Sequence, residues 1–172
     1  MENLHYLNSA QKTFEYYKEL GDKCFEQLRE EQFFQKPTVE SNSVATIVKH
    51  LWGNMLSRWT DFLTTDGEKE WRMRDKEFEN DLTSKKEVLE KWEAGWSCLF
   101  MALGSMTETD LSKTVLIRSQ SLTVIEAINR QLAHYAYHVG QIVYIGKMML
   151  DREWTSLSIP KGASRTYKPE NK

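Results

Sequence analysis

A chain of 172 residues with a net charge of −2 is long enough for one domain with a sizeable core. Acidic and basic residues are mixed along it, which excludes the one-sided basic stripe of a nucleic-acid binder. Two cysteines, Cys24 and Cys98, are too few for a disulfide framework, and no apolar run approaches the length of a membrane span.

The start, Met-Glu-Asn-Leu-His-Tyr, lacks the basic-then-apolar pattern of a signal peptide, so a cytoplasmic protein with reduced thiols is expected. The first helix is predicted over about Leu4 to Arg29. Leu7, Phe14, Tyr17, Leu20, Cys24, Phe25 and Leu28 recur there at helical intervals. Gly21 weakens it by up to about 1 kcal/mol relative to alanine. A connector with Pro37 follows.

The second helix is expected to open at Ser41-Asn-Ser43, whose side chains cap helix N-termini. Val44, Ile47, Val48, Leu51, Met55, Trp59 and Phe62 give it an amphipathic stripe. It should end near Thr64–Gly67. A long charged loop, about 66–82, comes next and reads as ordered because it carries Trp71 and Phe78. The third helix opens at Thr83-Ser84, where Ser84 and Glu87 have the spacing of a capping box.

The β-branched run Lys113-Thr-Val-Leu-Ile-Arg118 is a short extended segment, either a small hairpin or an arm. The fourth helix runs from Ser121 or Thr123 to Leu150. A tail, 151–172, lies over the rest. Four amphipathic helices predict an all-α four-helix bundle. It forms a single domain over 1–172 with its core at about 4–150.

Three histidines carry the functional signal. His134 and His138 are four residues apart on the fourth helix, hence on one face about one turn apart. That spacing allows two imidazoles to share a metal ion. On helical wheels the pair sits at the edge of the buried face, and so does His50 on the second helix. Packing of those two helices would make a three-histidine site with open coordination positions. His5 is a bystander.

Asn54, one turn beyond His50, and Arg130, Gln131 and Gln141, which flank the pair, are candidates to hold the ligands' other ring nitrogens. The pair reads His-Tyr-Ala-Tyr-His, so the glutamate base of a His-Glu-x-x-His metalloprotease is absent. No nucleotide-binding glycine loop and no Gly-x-Ser-x-Gly elbow occur.

His50, together with His134-x-x-x-His138 and the following Val-Gly-Gln141, resembles the DinB/YfiT-like superfamily of metal-dependent enzymes. Three further stretches resemble one bacterial branch of it: Gly67-Glu-Lys-Glu-Trp71-Arg-Met-Arg-Asp75, Ile128-Asn-Arg130-Gln-Leu-Ala-His134 and Leu157-Ser-Ile-Pro160-Lys-Gly. The resemblance implies an up-down-down-up bundle, often a homodimer. It implies a divalent ion, zinc or nickel, on His50, His134 and His138. Activities attached to relatives are thiol S-transfer and hydrolysis, but one fold hosts many chemistries.

Two functions follow as expectations. The first is a metal-dependent enzyme of the thiol S-transferase or hydrolase type, using a low-molecular-weight thiol as cosubstrate in the former case. Arg72 and Arg74 would then bind an anionic cosubstrate at the site mouth, and Tyr135, Tyr137 and Tyr144 are possible donors. The second is a non-catalytic, stress-related metal-binding or interaction protein. No nucleic-acid or membrane partner is expected.

Overall fold

The computed structural model describes residues 2–79 and 81–167. Four long α-helices dominate: α1 (Glu2–Gln27), α2 (Val44–Trp59), α3 (Lys85–Ser105) and α4 (Val124–Leu150). A two-stranded antiparallel hairpin, β1 (Thr114–Ile117) and β2 (Gln120–Thr123), leads into α4. Short 3₁₀ turns fill connectors. No helix among the described residues is long and apolar enough to cross a membrane. The last five tail residues lie outside the described residues.

The helix starts follow from local chemistry. Ser43 Oγ accepts from Thr46 N at the head of α2, and Thr123 and Glu126 close a reciprocal capping box at the head of α4. At α3, Ser84 Oγ accepts from Glu87 N, and Glu87 Oε2 reaches back to accept from Thr83 N.

The end of α2 comes earlier than its apolar stripe predicts. The helix stops at Trp59 because Asp61 takes a positive φ of 48°, and Thr64 N and Thr65 N fold back onto Asp61 O. Phe62 stays buried, so burial outlasted the helix.

The β-branched run is a hairpin. Val115 and Ile117 point inward. Its two turn residues, Arg118 and Ser119, sit at φ 56° and 60°, on the order of 1 kcal/mol of strain each for L-residues. Asp66 holds that turn: its carboxylate accepts from Arg118 N and Ser119 N. The loop after α2 and the hairpin before α4 are thus one unit.

α1 packs mainly on α4, and α2 mainly on α3; α2 and α4 meet along a narrower seam. The core is aromatic. Phe14 contacts the rings of Trp59, Trp96 and Tyr135, and Trp92 contacts Trp96 and Phe25. Each fully buried apolar side chain of this size contributes about 1.5–3 kcal/mol. Gly21 explains its place in α1, since a Cβ there would overlap the Trp92 ring.

The start of the tail lies against the helices. Trp154 and Leu157 pack against the core, and Thr155 exchanges two hydrogen bonds with Gln27 at the end of α1.

Candidate metal centre

The narrow α2–α4 seam brings His50, His134 and His138 together. His134 Nε2 lies 3.3 Å from His50 Nε2 and 3.1 Å from His138 Nε2. Metal–imidazole bonds of about 2.0–2.1 Å place neighbouring nitrogens about 2.9–3.4 Å apart, for angles between octahedral and tetrahedral. The observed separations fall within that range, and the three imidazoles form a group that can hold a metal ion.

The opposite ring nitrogens decide what the Nε2 atoms carry. His50 Nδ1 is 2.8 Å from Glu77 Oε2, and His138 Nδ1 is 2.8 Å from Gln141 Oε1. Both partners are acceptors, so both Nδ1 atoms carry the proton and both Nε2 atoms present lone pairs. His134 Nε2 has at most one proton to offer. At most one of the two close Nε2 pairs can therefore be a hydrogen bond, which leaves at least one inward lone pair without a donor, a deficit that a cation between them removes.

The electrostatics favour the metal-binding form. Burial, and then the neighbouring His138 and His50, push the pKa of His134 down to about 3. Burial, and then His50, push His138 down to about 4, against a weaker upward pull from Gln141. Both imidazoles are neutral at physiological pH. His50 is the deepest of the three at 6 % exposure, deeper than an edge position on a helical wheel suggests.

Glu77 organises the deep side. It is 5 % exposed and comes from the 3₁₀ turn Asp75–Phe78 in the long loop. Its Oε1 accepts from Arg72 Nε at 2.7 Å and its Oε2 from Arg72 Nη2 at 2.9 Å, a fork-to-fork pair. Burial alone would raise its pKa, but the hydrogen bonds from His50 and Arg72, with the charge of Arg72, outweigh that and hold it below the usual carboxylate range. Gly53 on α2 makes room, because a Cβ there would collide with the Glu77 carboxylate. At the rim, Phe78 stacks on His50 and Tyr137 meets the edge of His138. Both aromatics are exposed.

The other candidates fall as follows. Gln141 Oε1 lies against His138 Nδ1. Asn54 faces inward but serves Tyr135: its Oδ1 accepts from Tyr135 Oη at 3.0 Å, and Tyr135 Oη accepts from Trp59 Nε1 at 2.9 Å. That places Tyr135 in the core. Gln131 is buried one turn before His134, and Arg130 is exposed.

Arg72 is not at the mouth. Its side chain is buried behind Glu77, whose charge it neutralises. Arg74 is exposed at the start of the 3₁₀ turn. The loop is ordered by Glu77 and its partners, whereas Trp71 and Phe78 are exposed. Glu77 and Gly53 were not legible in the sequence. Glu77 is one of several loop carboxylates, and its spacing of five from Arg72 marks no helix face.

The family described as a protein of unknown function (DUF1572) matches residues 2–163. The chain belongs to the DUF1572 family. That match spans α1 to α4 and therefore all three histidines. No curated protein matches this DUF1572 chain.

Proposed function

We propose that this DUF1572 chain is a divalent-metal protein of the DinB/YfiT-like superfamily, holding zinc or nickel on His50, His134 and His138. We further propose that it acts as a metal-dependent enzyme of the thiol S-transferase or hydrolase type. One observation carries the reading: His134 Nε2 lies at ligand spacing from both His50 Nε2 and His138 Nε2, while Glu77 and Gln141 fix two Nδ1 atoms as donors. When bound, the ion supplies positive charge that lowers the proton affinity of a water or a thiol. The chain's own groups then do the positioning. Glu77 and Gln141 orient two imidazoles, and Phe78 and Tyr137 flank the rim.

The chain's thiols do not supply a nucleophile of their own. Burial pushes Cys24 up to about 12, and it also raises Cys98, so both stay protonated. A thiol transferred by this protein is therefore a cosubstrate. Glu77 has both oxygens engaged, which leaves it as a positioning group and not as a general base.

One feature favours the non-catalytic reading. The histidines link α2 to α4, and Glu77 links the long loop to His50, so an ion there also pins the fold. Metal analysis of untagged protein tests the shared premise: about one ion per chain, lost in the His50→Ala/His138→Ala double variant. Unchanged metal content would overturn it. A screen of thiol conjugation and small-ester hydrolysis, with and without metal, then separates enzyme from structural metal protein.

A further inference from the structure

The α2 face that starts at His50 continues through Asn54 to Arg58 at intervals of four residues. Asn54 is satisfied by Tyr135. Arg58 is not satisfied: it is 3 % exposed, and its Nε and Nη1 are buried without a hydrogen-bond partner among the described residues. Arg72 Nη1 is in the same state.

Both guanidiniums converge on one atom, Glu68 Oε2. It lies 3.8 Å from Arg58 Nη2 and 3.6 Å from Arg72 Nη1. These are ion-pair separations, longer than hydrogen bonds. Arg118 Nε approaches the same oxygen from the outside at 3.2 Å. Arg72 Nε and Nη2 are already forked onto Glu77, so this one oxygen is shared by Arg58, Arg118 and the remaining Nη1 of Arg72, without pairing the buried N–H groups.

Arginine stays charged and presents a planar fork that matches two oxygens of a carboxylate or a phosphate. A buried guanidinium with unpaired donors is costly. Glu68 is the half-open side of the cluster, with its side chain 22 % exposed. Gly67 beside it packs directly over Arg58, where a Cβ would stand 2.8 Å from Nη1. Loop residues 67 and 68 therefore cover the two guanidiniums from the solvent side. Arg72 also forks onto Glu77, the carboxylate that bonds His50, which puts the cluster next to the histidine triad.

We propose that Arg58 and Arg72 form an oxyanion-binding site, in which the Glu68 carboxylate is a resident that gives way to the carboxylate or phosphate group of a small anionic ligand. The site rests on guanidinium packing and does not require the metal reading.

The test is a titration of the full chain, uniformly labelled with ¹⁵N, observing the arginine Nε–H signals. Acetate, inorganic phosphate and chloride are each added at constant ionic strength. Saturable shifts of the Arg58 and Arg72 signals with acetate or phosphate are expected, and the arm that saturates identifies the oxyanion class. Glu68→Ala should tighten that binding at least tenfold, and Arg58→Met should abolish it. Because Glu68→Ala predicts a gain, poor folding of Arg58→Met leaves the proposal falsifiable. Binding should persist in His50→Ala/His138→Ala, which separates this site from the metal. Linear, unsaturated shifts in both wild type and Glu68→Ala would mean that the donors hold water only, and would overturn it. Equal saturation by chloride would do the same.

Discussion

His50 Nδ1 donates to Glu77 Oε2 across 2.8 Å, with both residues buried. A carboxylate in that position sets the tautomer and angle of the imidazole and raises its basicity as a ligand. Replacing such a group costs about 10–100-fold in metal affinity. Glu77→Gln should therefore weaken zinc or nickel binding by about that factor while leaving one ion per chain at saturation. Competition with a chromogenic chelator measures it. Unchanged affinity would mean that Glu77 only anchors the loop.

Gly53→Ala sets two effects of opposite sign against each other. Glycine to alanine within a helix stabilises by about 1 kcal/mol on propensity. Here the new Cβ would strike the Glu77 carboxylate, and overpacking a tight site costs about 1–3 kcal/mol. The steric effect should win, because the carboxylate is clamped by both His50 and Arg72 and has little room to retreat. Thermal melts should show a lower Tm, and metal affinity should drop as in Glu77→Gln. A raised Tm would show that the loop moves aside easily.

These two residues mark the limit of what sequence can carry. The caps at Ser43 and Ser84, the His134/His138 face and the placement of His50 on α2 are all local or periodic signals, and the structure agrees with each. Glu77 and Gly53 depend on a contact between a helix and a loop 24 positions further along, which no periodicity encodes. The same is true of Asp66, whose bonds to the Arg118–Ser119 amides let a hairpin turn without glycine. Arg72 was misplaced for a related reason: a basic residue in a charged loop reads as solvated until its buried partner is known.

In metal-free protein the histidines make stability depend on pH. The unfolded chain takes up protons at these imidazoles near 6.5, whereas the folded protein resists until about 4 at His138 and about 3 at His134. Between those limits the unfolded state binds more protons, so stability falls as pH falls. Glu77, held below 4.5 in the fold, adds a further loss as pH drops through its folded pKa. Melting followed by circular dichroism in chelator should show Tm declining from pH 6.5 to pH 4. His138→Gln should flatten part of that slope. A wild-type profile flat over this range would contradict the burial of the imidazoles.

Tyr135→Phe separates the core from the metal centre. Tyr135 is adjacent in sequence to His134, but its hydroxyl donates to Asn54 Oδ1 and accepts from Trp59 Nε1, all within the buried core. Removing it strands one donor and one acceptor, and leaving such a group unpaired costs about 1–3 kcal/mol. For a chain of this length each kcal/mol lowers Tm by about 2–4 °C, so a loss of several degrees is expected. The ring contacts with Phe14 and Trp96 remain, which keeps α4 in place and the histidines with it. Metal content and affinity should therefore match wild type. If the variant loses metal as well as stability, Asn54 and Tyr135 support the triad in addition to the core, and the boundary between the two regions lies closer to the ligands than these hydrogen bonds place it.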